Sequence, residues 1–386
     1  MTLLLGQVRH GPRRGYQRML EAFWDEARDF GLELPCDQPV SAQAFSAARR
    51  KLPAEVVREL VHEASDAFDR EHGQAFRWHG RRLLAVDGKR LDVQASDELR
   101  RTFGEPTGAH YPQIHISTLF DVCAKVPLDV EVGRYGSDER VQLSKLLGRT
   151  RAGDVLVGDR GYPSFDLIVM LLESDLDFVL RVPAKGSFKA VEEFVATGAT
   201  EGEVVLHPPQ GSCLRGLDPI RLRVVRSDHG KETWVLLTTL PADEFPAQEV
   251  VAAYGLRWQV ECFYDLLEKD YFEQGLLHAR WVDGVCQEVC AQMLFVLIAR
   301  HVAAQVAKDN AIPPEELSRK GSVLAVADHL VRLLLHRPPD QARGDLRRLL
   351  ERVARARYRP RPGRSYPRRS FKPQPRWGPS GRRGEG

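Results

Sequence analysis

The chain has 386 residues, 43% of them apolar and 8% aromatic, enough to bury two or three domain cores and unlike the make-up of a disordered or collagen-like chain. Its formal charge of +3 hides an asymmetry: residues 352–386 hold twelve Arg or Lys against the single acid Glu385, so that segment is +11 and the first 351 residues carry −8. Six scattered cysteines, with no CxxC pair and no zinc-ligand spacing, argue against a disulfide scaffold and for reduced thiols in a cytoplasmic protein.

The opening "MTLLLGQVRHGPRR" has too short an apolar stretch for a signal peptide. Helical periodicity follows to about residue 75, and in "SAQAFSAARRKLPAEVVRELVHEASDAF" Ser41 is placed to cap one helix and Pro53 to sit in the first turn of a second. Arg49, Arg50 and Lys51 at their junction are candidates for contact with DNA phosphates, the alternative being a solvated basic corner.

From "RRLLAVDGKRLDV" the pattern changes to short β-rich runs, with "QIHISTLFDVCA" and "VPLDVEVGRY" predicted as strands joined around Lys125. "SDERVQLSKLLGRT" reads as a helix capped by Ser137, "GDVLVGDRGY" as a buried strand ending in a turn, "SFDLIVMLLES" as a helix and "DFVLRVPA" as a strand. Strand, hairpin, helix, strand, helix, strand is the order of an α/β sheet. Residues 184–245 interrupt it with "EGEVVLHP", "IRLRVVRS" and "ETWVLLTTL", read as a β-rich insertion.

Helices return at Pro246. The most apolar, "VCAQMLFVLIARHVAAQVA", is broken by Gln292 and Arg300 and suits a buried position better than a bilayer; Cys286 and Cys290 beside it read as small buried hydrophobes. The last segment is rich in Pro, Gly and Arg and is expected to be disordered. Its cations and interleaved Tyr358, Tyr366, Phe371 and Trp377 suit either non-specific nucleic-acid contact or solubilisation. The predicted organisation is thus an N-terminal helical DNA-binding module over 1–78, a core over 79–183, the insertion over 184–245, a helical second part of the core over 246–350, and a basic disordered tail over 351–386.

Three acids stand out by position. Asp87 and Asp159 each close an apolar strand, where an α/β sheet presents groups to a ligand and an unpaired carboxylate is costly. Glu261 lies in "YGLRWQVECFYDLLEKD", predicted as one helix; at about 100° per residue, Tyr254, Arg257, Glu261, Asp265 and Glu268 share a stripe opposite Leu256, Val260, Phe263 and Leu267. Alone, that stripe reads as a solvated face with an Arg257–Glu261 pair worth a few tenths of a kcal/mol. A divalent cation would serve both strand-end aspartates at once. Glu139 reads as a helix-dipole residue or a supporting acid, and His110, His115 and His278 as structural histidines.

Taken in order, "AFSAARRKL", "RRLLAVDGKRLDV", "GDVLVGDRGY", "YGLRWQVECFYDLLEK" and "VCQEVCAQMLFVLIAR" resemble the insertion-sequence transposases of the DDE class, in the insertion-sequence-four group. The resemblance runs from about residue 41 to 305 and implies an α/β fold with a ribonuclease-H-like mixed sheet flanked by helices, a β-rich insertion and an N-terminal helical module. It implies a catalytic, metal-binding triad of Asp87, Asp159 and Glu261, and DNA-binding roles for Tyr254 and Arg257 of a Tyr-x2-Arg-x3-Glu-x6-Lys signature. Glu268 stands at the lysine position and Lys269, one residue later, is a further candidate DNA contact; Arg160, directly after Asp159, reads equally as a DNA contact or as a partner for an acid.

The implied chemistry is phosphodiester cleavage and strand transfer with Mg²⁺, for which Mn²⁺ can substitute, two ions about 3.5–4 Å apart serving attack and departure. A DNA hairpin intermediate is compatible with the signature. The implied partners are double-stranded DNA, as inverted-repeat transposon ends and target, and a second copy of the chain in a homodimer, with no membrane; the implied location is the bacterial cytoplasm, on the nucleoid when DNA is bound. The competing readings are a metal-dependent nuclease without strand transfer and an inactive, transposase-derived DNA-binding protein.

Overall fold

The computed structural model describes residues 3–6, 15–210, 214–229, 232–267, 277–335 and 338–358. Its N-terminal part is helical: α1 (Tyr16–Asp29), α2 (Ala42–Arg50) and α3 (Ala54–His72). Ser41 caps α2 by accepting the Ala44 N–H at 3.1 Å, and Pro53 stands immediately before α3. Along α3 the buried residues Val57, Val61, Ser65, Phe68 and His72 recur at helical spacing and form the stripe that meets the core. Met19, Leu20, Phe23, Trp24, Ala27 and Phe45 build a second, smaller core with Val331.

The main core surrounds one eight-stranded sheet of order β3-β2-β1-β4-β5-β8-β7-β6. Its strands are β1 (Leu83–Asp92), β2 (Gln113–Asp121), β3 (Val126–Arg134), β4 (Val155–Gly158), β5 (Asp177–Val182), β6 (Glu201–Leu206), β7 (Ile220–His229) and β8 (Glu232–Thr238). β1, β4 and β5 run parallel, while β2 and β3 form an antiparallel hairpin on the β1 side. The hairpin turns at Lys125, in the left-handed region at φ +59°, with Asp121 Oδ1 accepting the N–H groups of Cys123 and Ala124. This is the expected mixed, ribonuclease-H-like sheet with helices on its faces and a helical module before it.

Four helices connect these strands: α4 (Asp97–Phe103), α5 (Glu139–Leu146), α6 (Phe165–Glu173) and α7 (Lys189–Ala196). Ser164 caps α6 through the Leu167 N–H. The cap of α5 is Asp138, which accepts the Arg140 N–H at 2.9 Å, and not Ser137. Ser137 is held in the preceding turn by its own N–H bond to the Arg134 carbonyl, so its hydroxyl sits one residue too early.

The strands of the insertion join the sheet through β8, antiparallel to β5 with Val179 opposite Thr238. β6 and β3 form the two edges of the sheet; on β6 Glu201 and Glu203 pair with Arg223 at 2.7 Å and Arg221 at 3.0 Å.

The remaining helices are α8 (Ala247–Gly255), α9 (Trp258–Asp265), α10 (Val282–Asp309), α11 (Arg319–Leu334) and α12 (Pro339–Arg355). α10 is long and apolar enough to cross a membrane by length and composition, yet 78% of its most apolar window is buried within the fold, as expected of a central core helix. Arg300, interrupting its apolar run, donates Nε to the Ala124 carbonyl at 2.7 Å and ties α10 to the β2–β3 turn.

The single helix predicted over 254–270 is instead two. Around Leu256 and Arg257 the N–H groups of Arg257, Gln259 and Val260 bond three residues back, to Tyr254, Leu256 and Arg257. Such a tightened turn puts residues three apart nearly in line, so Tyr254 and Arg257 project in the same direction. Glu268 and Lys269 lie outside the described residues, as do Tyr366, Phe371 and Trp377 of the tail.

Candidate active site

Asp87 sits on β1 opposite Thr118 of β2, where the strand leaves its parallel pairing with β4. Asp159 immediately follows β4, and Glu261 lies in the first turn of α9. The structure brings these acids around one guanidinium: Arg257 lies 3.4 Å from Asp87 Oδ2, 3.9 Å from Asp159 Oδ2 and 2.6 Å from Glu261 Oε1. Arg257 is the more enclosed partner, its side chain 13% exposed against 23%, 34% and 31% for Asp87, Asp159 and Glu261.

Among the described residues Arg257 is the cation ion-paired to all three acids, with Arg181 acting on Asp159 from farther off. Burial pushes the Asp87 carboxyl up to about 6, Glu261 and Glu139 adding repulsion while Arg257 and the Gly88 N–H oppose it. Burial acts in the same sense on Asp159, but the Arg160 N–H, Arg257 and the Tyr254 hydroxyl outweigh it and hold that carboxyl below the usual range. The two aspartates thus have opposite proton affinities.

Two tyrosines fix this geometry. Tyr254 donates its hydroxyl to Asp159 Oδ1 at 3.0 Å, and its ring meets Trp234 of β8 edge-on at 4.9 Å, so the insertion helps to place it. Burial, with Asp159 beside it, pushes the Tyr254 phenol up to about 12, and it stays a donor at neutral pH. Tyr264 of α9, which the sequence did not single out, lies 2.9 Å from both the Asp87 carbonyl and Thr118 Oγ1. It ties α9 to β1 at the position of the catalytic candidate.

Gly88 is crowded: a Cβ there would lie 2.4 Å from His115 Nε2 and 2.8 Å from Glu139 Oε1, so those side chains would have to shift. Those two side chains are themselves 3.3 Å apart, which places the supporting-acid candidate Glu139 next to Asp87.

The other candidate DNA contacts differ in placement. Arg160 is exposed beside Asp159, with its N–H on Asp159 Oδ1, and Arg50 and Lys51 are exposed, Arg50 stacking over Trp281 at 4.6 Å. Arg49 departs from its expected role. It is 3% exposed and its guanidinium donates to Gln287 Oε1, Glu288 Oε1, the Gly284 carbonyl and the Tyr16 hydroxyl. It is an internal bridge between α2 and α10, not a group presented to phosphate.

The acidic cluster offers the ligand type a hard divalent cation prefers, but the Arg257 guanidinium stands between its carboxylates and their oxygens are not closed on one point. All its donors are carboxylate oxygens, each part-exposed, as a hard ion that keeps some of its water requires. Asp87, Asp159 and Glu261 would hold such an ion. Among the described residues, the group of three potential metal ligands whose ligand atoms all lie within 4.8 Å of one another is a different one, Glu71, His72 and His301. No spacing in the sequence betrays it, because Glu71 and His301 are 230 positions apart.

Residues 78–297 match the model of the transposase DDE domain, more than half of the chain and a span that contains every residue of the acidic cluster. The chain belongs to the transposase DDE domain family. Its function is accordingly of the DDE-transposase kind, the cutting and joining of DNA. No curated protein matches the chain. Among solved structures it is similar to a piggyBac transposase synaptic complex with hairpin DNA determined by cryo-electron microscopy, at 11% identity and a TM-score of 0.46 over 90% of this chain and 85% of that one.

Proposed function

We propose that this DDE-domain protein is a transposase of the insertion-sequence-four group that cuts and joins its element's DNA ends with Asp87, Asp159 and Glu261 as ligands of Mg²⁺ or Mn²⁺. One observation carries the proposal: three carboxylates from β1, the end of β4 and α9 converge on the single guanidinium of Arg257. When bound, a pair of such ions supplies positive charge to the attacked phosphate and to the attacking and leaving oxygens.

The chain's own residues prepare that chemistry. Tyr254 holds one oxygen of Asp159, leaving the other directed toward the cluster, and Tyr264 sets the distance from α9 to β1. Arg257, relieved of its place between the acids, becomes available to a DNA phosphate next to the scissile bond. Arg160 beside Asp159 and Lys269 beyond α9 add backbone contacts, while Arg50 and Lys51 contact the duplex from the helical module. The partners in this reading are inverted-repeat ends and target DNA, held by two copies of the chain in the cytoplasm.

The test uses the full chain, Mg²⁺ or Mn²⁺, and linear DNA carrying the inverted repeats that flank its gene. The wild-type protein is expected to cut at the repeat boundary and join the freed 3′ end to a second duplex, whereas Asp159→Ala and Glu261→Ala bind the ends without cutting. Cutting by either variant at the wild-type rate overturns the triad, and cutting without joining reduces the protein to a nuclease.

A further inference from the structure

Where α3 ends against α10, Glu71, His72 and His301 meet beside the ring of Phe68, which lies 5.4 Å from the His72 ring and 6.2 Å from the His301 ring. Neighbours on a regular helix diverge by about 100° and do not face one another. His72 escapes that rule because its backbone, at φ −130° and ψ −16°, has already left helical geometry. Consecutive side chains can therefore converge on His301.

His301 Nε2 lies 3.0 Å from Glu71 Oε2, and the two imidazoles meet edge-on at 4.7 Å. His72 is the unexplained member. It is only 6% exposed, and its Nε2 is buried without a hydrogen-bond partner. A buried polar nitrogen left unmatched costs about 1–3 kcal/mol unless something completes it.

We propose that Glu71, His72 and His301 form a zinc site that clasps the end of α3 to α10. Two imidazoles and one carboxylate suit Zn²⁺, which takes nitrogen and oxygen donors tetrahedrally and leaves a fourth position to water. The same set is poor for Mg²⁺, which demands oxygen, so this site and the carboxylate cluster call for different ions. Bond lengths of about 2.0–2.1 Å put tetrahedral donors about 3.3 Å apart, close to the 3.0 Å between His301 Nε2 and Glu71 Oε2, and Glu71 is exposed and His301 half-buried, so both have room to adjust. Glu71 supplies negative charge against Arg300 and Lys308, the cations that also act on His72. The site joins residues far apart in sequence and lies on the helices next to the β2–β3 turn, to which Arg300 is bonded.

The test takes the full chain, stripped with a chelator and returned to buffer containing excess Mg²⁺, and titrates it with Zn²⁺ by calorimetry and with Co²⁺ by absorption. Wild type is expected to bind one more equivalent than His301→Ala, to show the intense visible bands of tetrahedral cobalt, and to melt at a higher temperature with Zn²⁺ than without. Losing even an outer partner of a metal site weakens binding about 10- to 100-fold, so His301→Ala and the exposed-site variant Glu71→Gln should each weaken it at least that much. Asp159→Ala, altered in the other cluster, should bind as wild type does. Equal zinc affinity in wild type, His301→Ala and Glu71→Gln, or no zinc-dependent change in wild-type melting, overturns the proposal.

Discussion

Replacing Asp87 by asparagine separates the stability of the acidic cluster from its chemistry. Burial lifts the Asp87 carboxyl from 3.8 to about 6 in the folded chain. A folded-state value above the unfolded one means that protonation favours folding: the stabilisation is complete below about pH 4 and is lost as pH rises through about 6. The gap of roughly two units amounts to about 3 kcal/mol at 1.36 kcal/mol per unit. That is an upper figure, since the side chain is 23% exposed and solvent screens part of it. Asparagine carries no charge and can still accept the Gly88 N–H, so above neutrality it removes the cost. For 386 residues, an unfolding entropy of about 2.1 cal/mol/K per residue converts 3 kcal/mol into a rise in Tm of about 4 °C. Calorimetry without divalent metal should show Asp87→Asn more stable than wild type at about pH 7.5 and nearly equal to it at about pH 3, while DNA cutting is lost. A variant less stable at the higher pH, or one shifted equally at both, refutes the reasoning.

Other variants probe the surroundings. Arg49→Ala leaves the buried Glu288 without its cation, which should cost about 3–5 kcal/mol in urea unfolding; a variant of unchanged stability but weakened DNA binding would restore the phosphate role. Tyr264→Phe removes the hydroxyl between Asp87 and Thr118 and should cost about 1 kcal/mol, lowering the cutting rate more than the affinity for DNA ends. In Gly88→Ala the new methyl meets His115 and Glu139, so stability should fall by about 1–3 kcal/mol and cutting with it; an alanine variant with wild-type melting and rate would show that the crowding is easily relieved.

Much of this was legible because buried strands announce themselves. "LLAV" and "VLVG" are apolar runs that could only lie inside a sheet, and the acids that follow them had to surface at its edge of function. The three runs of the insertion were equally plain as strands, but their pattern says nothing about which neighbour they pair with, and β8 chose β5. The break between α8 and α9 was hidden because Leu256 and Arg257 keep near-helical dihedrals, and only the hydrogen bonds shorten. Arg49 was misread for a different reason. "AARRKL" looks like a basic corner until α10, more than two hundred residues later, delivers Gln287 and Glu288 to it. Long-range pairing also hid Tyr264 and the Glu71–His72–His301 group, since nothing local distinguishes a core tyrosine or a helix-end histidine from one with a task.

One flank of the sheet, β6, bears on how copies of the protein can associate. An unpaired strand is an invitation to another chain, but β6 is only six residues long and sets ion-paired glutamates along its border. Ribbon-to-ribbon joining of two molecules there would force those carboxylates together and strip them of water. That border of the sheet is thus guarded against growth by a further strand, whatever the way in which copies of the chain meet.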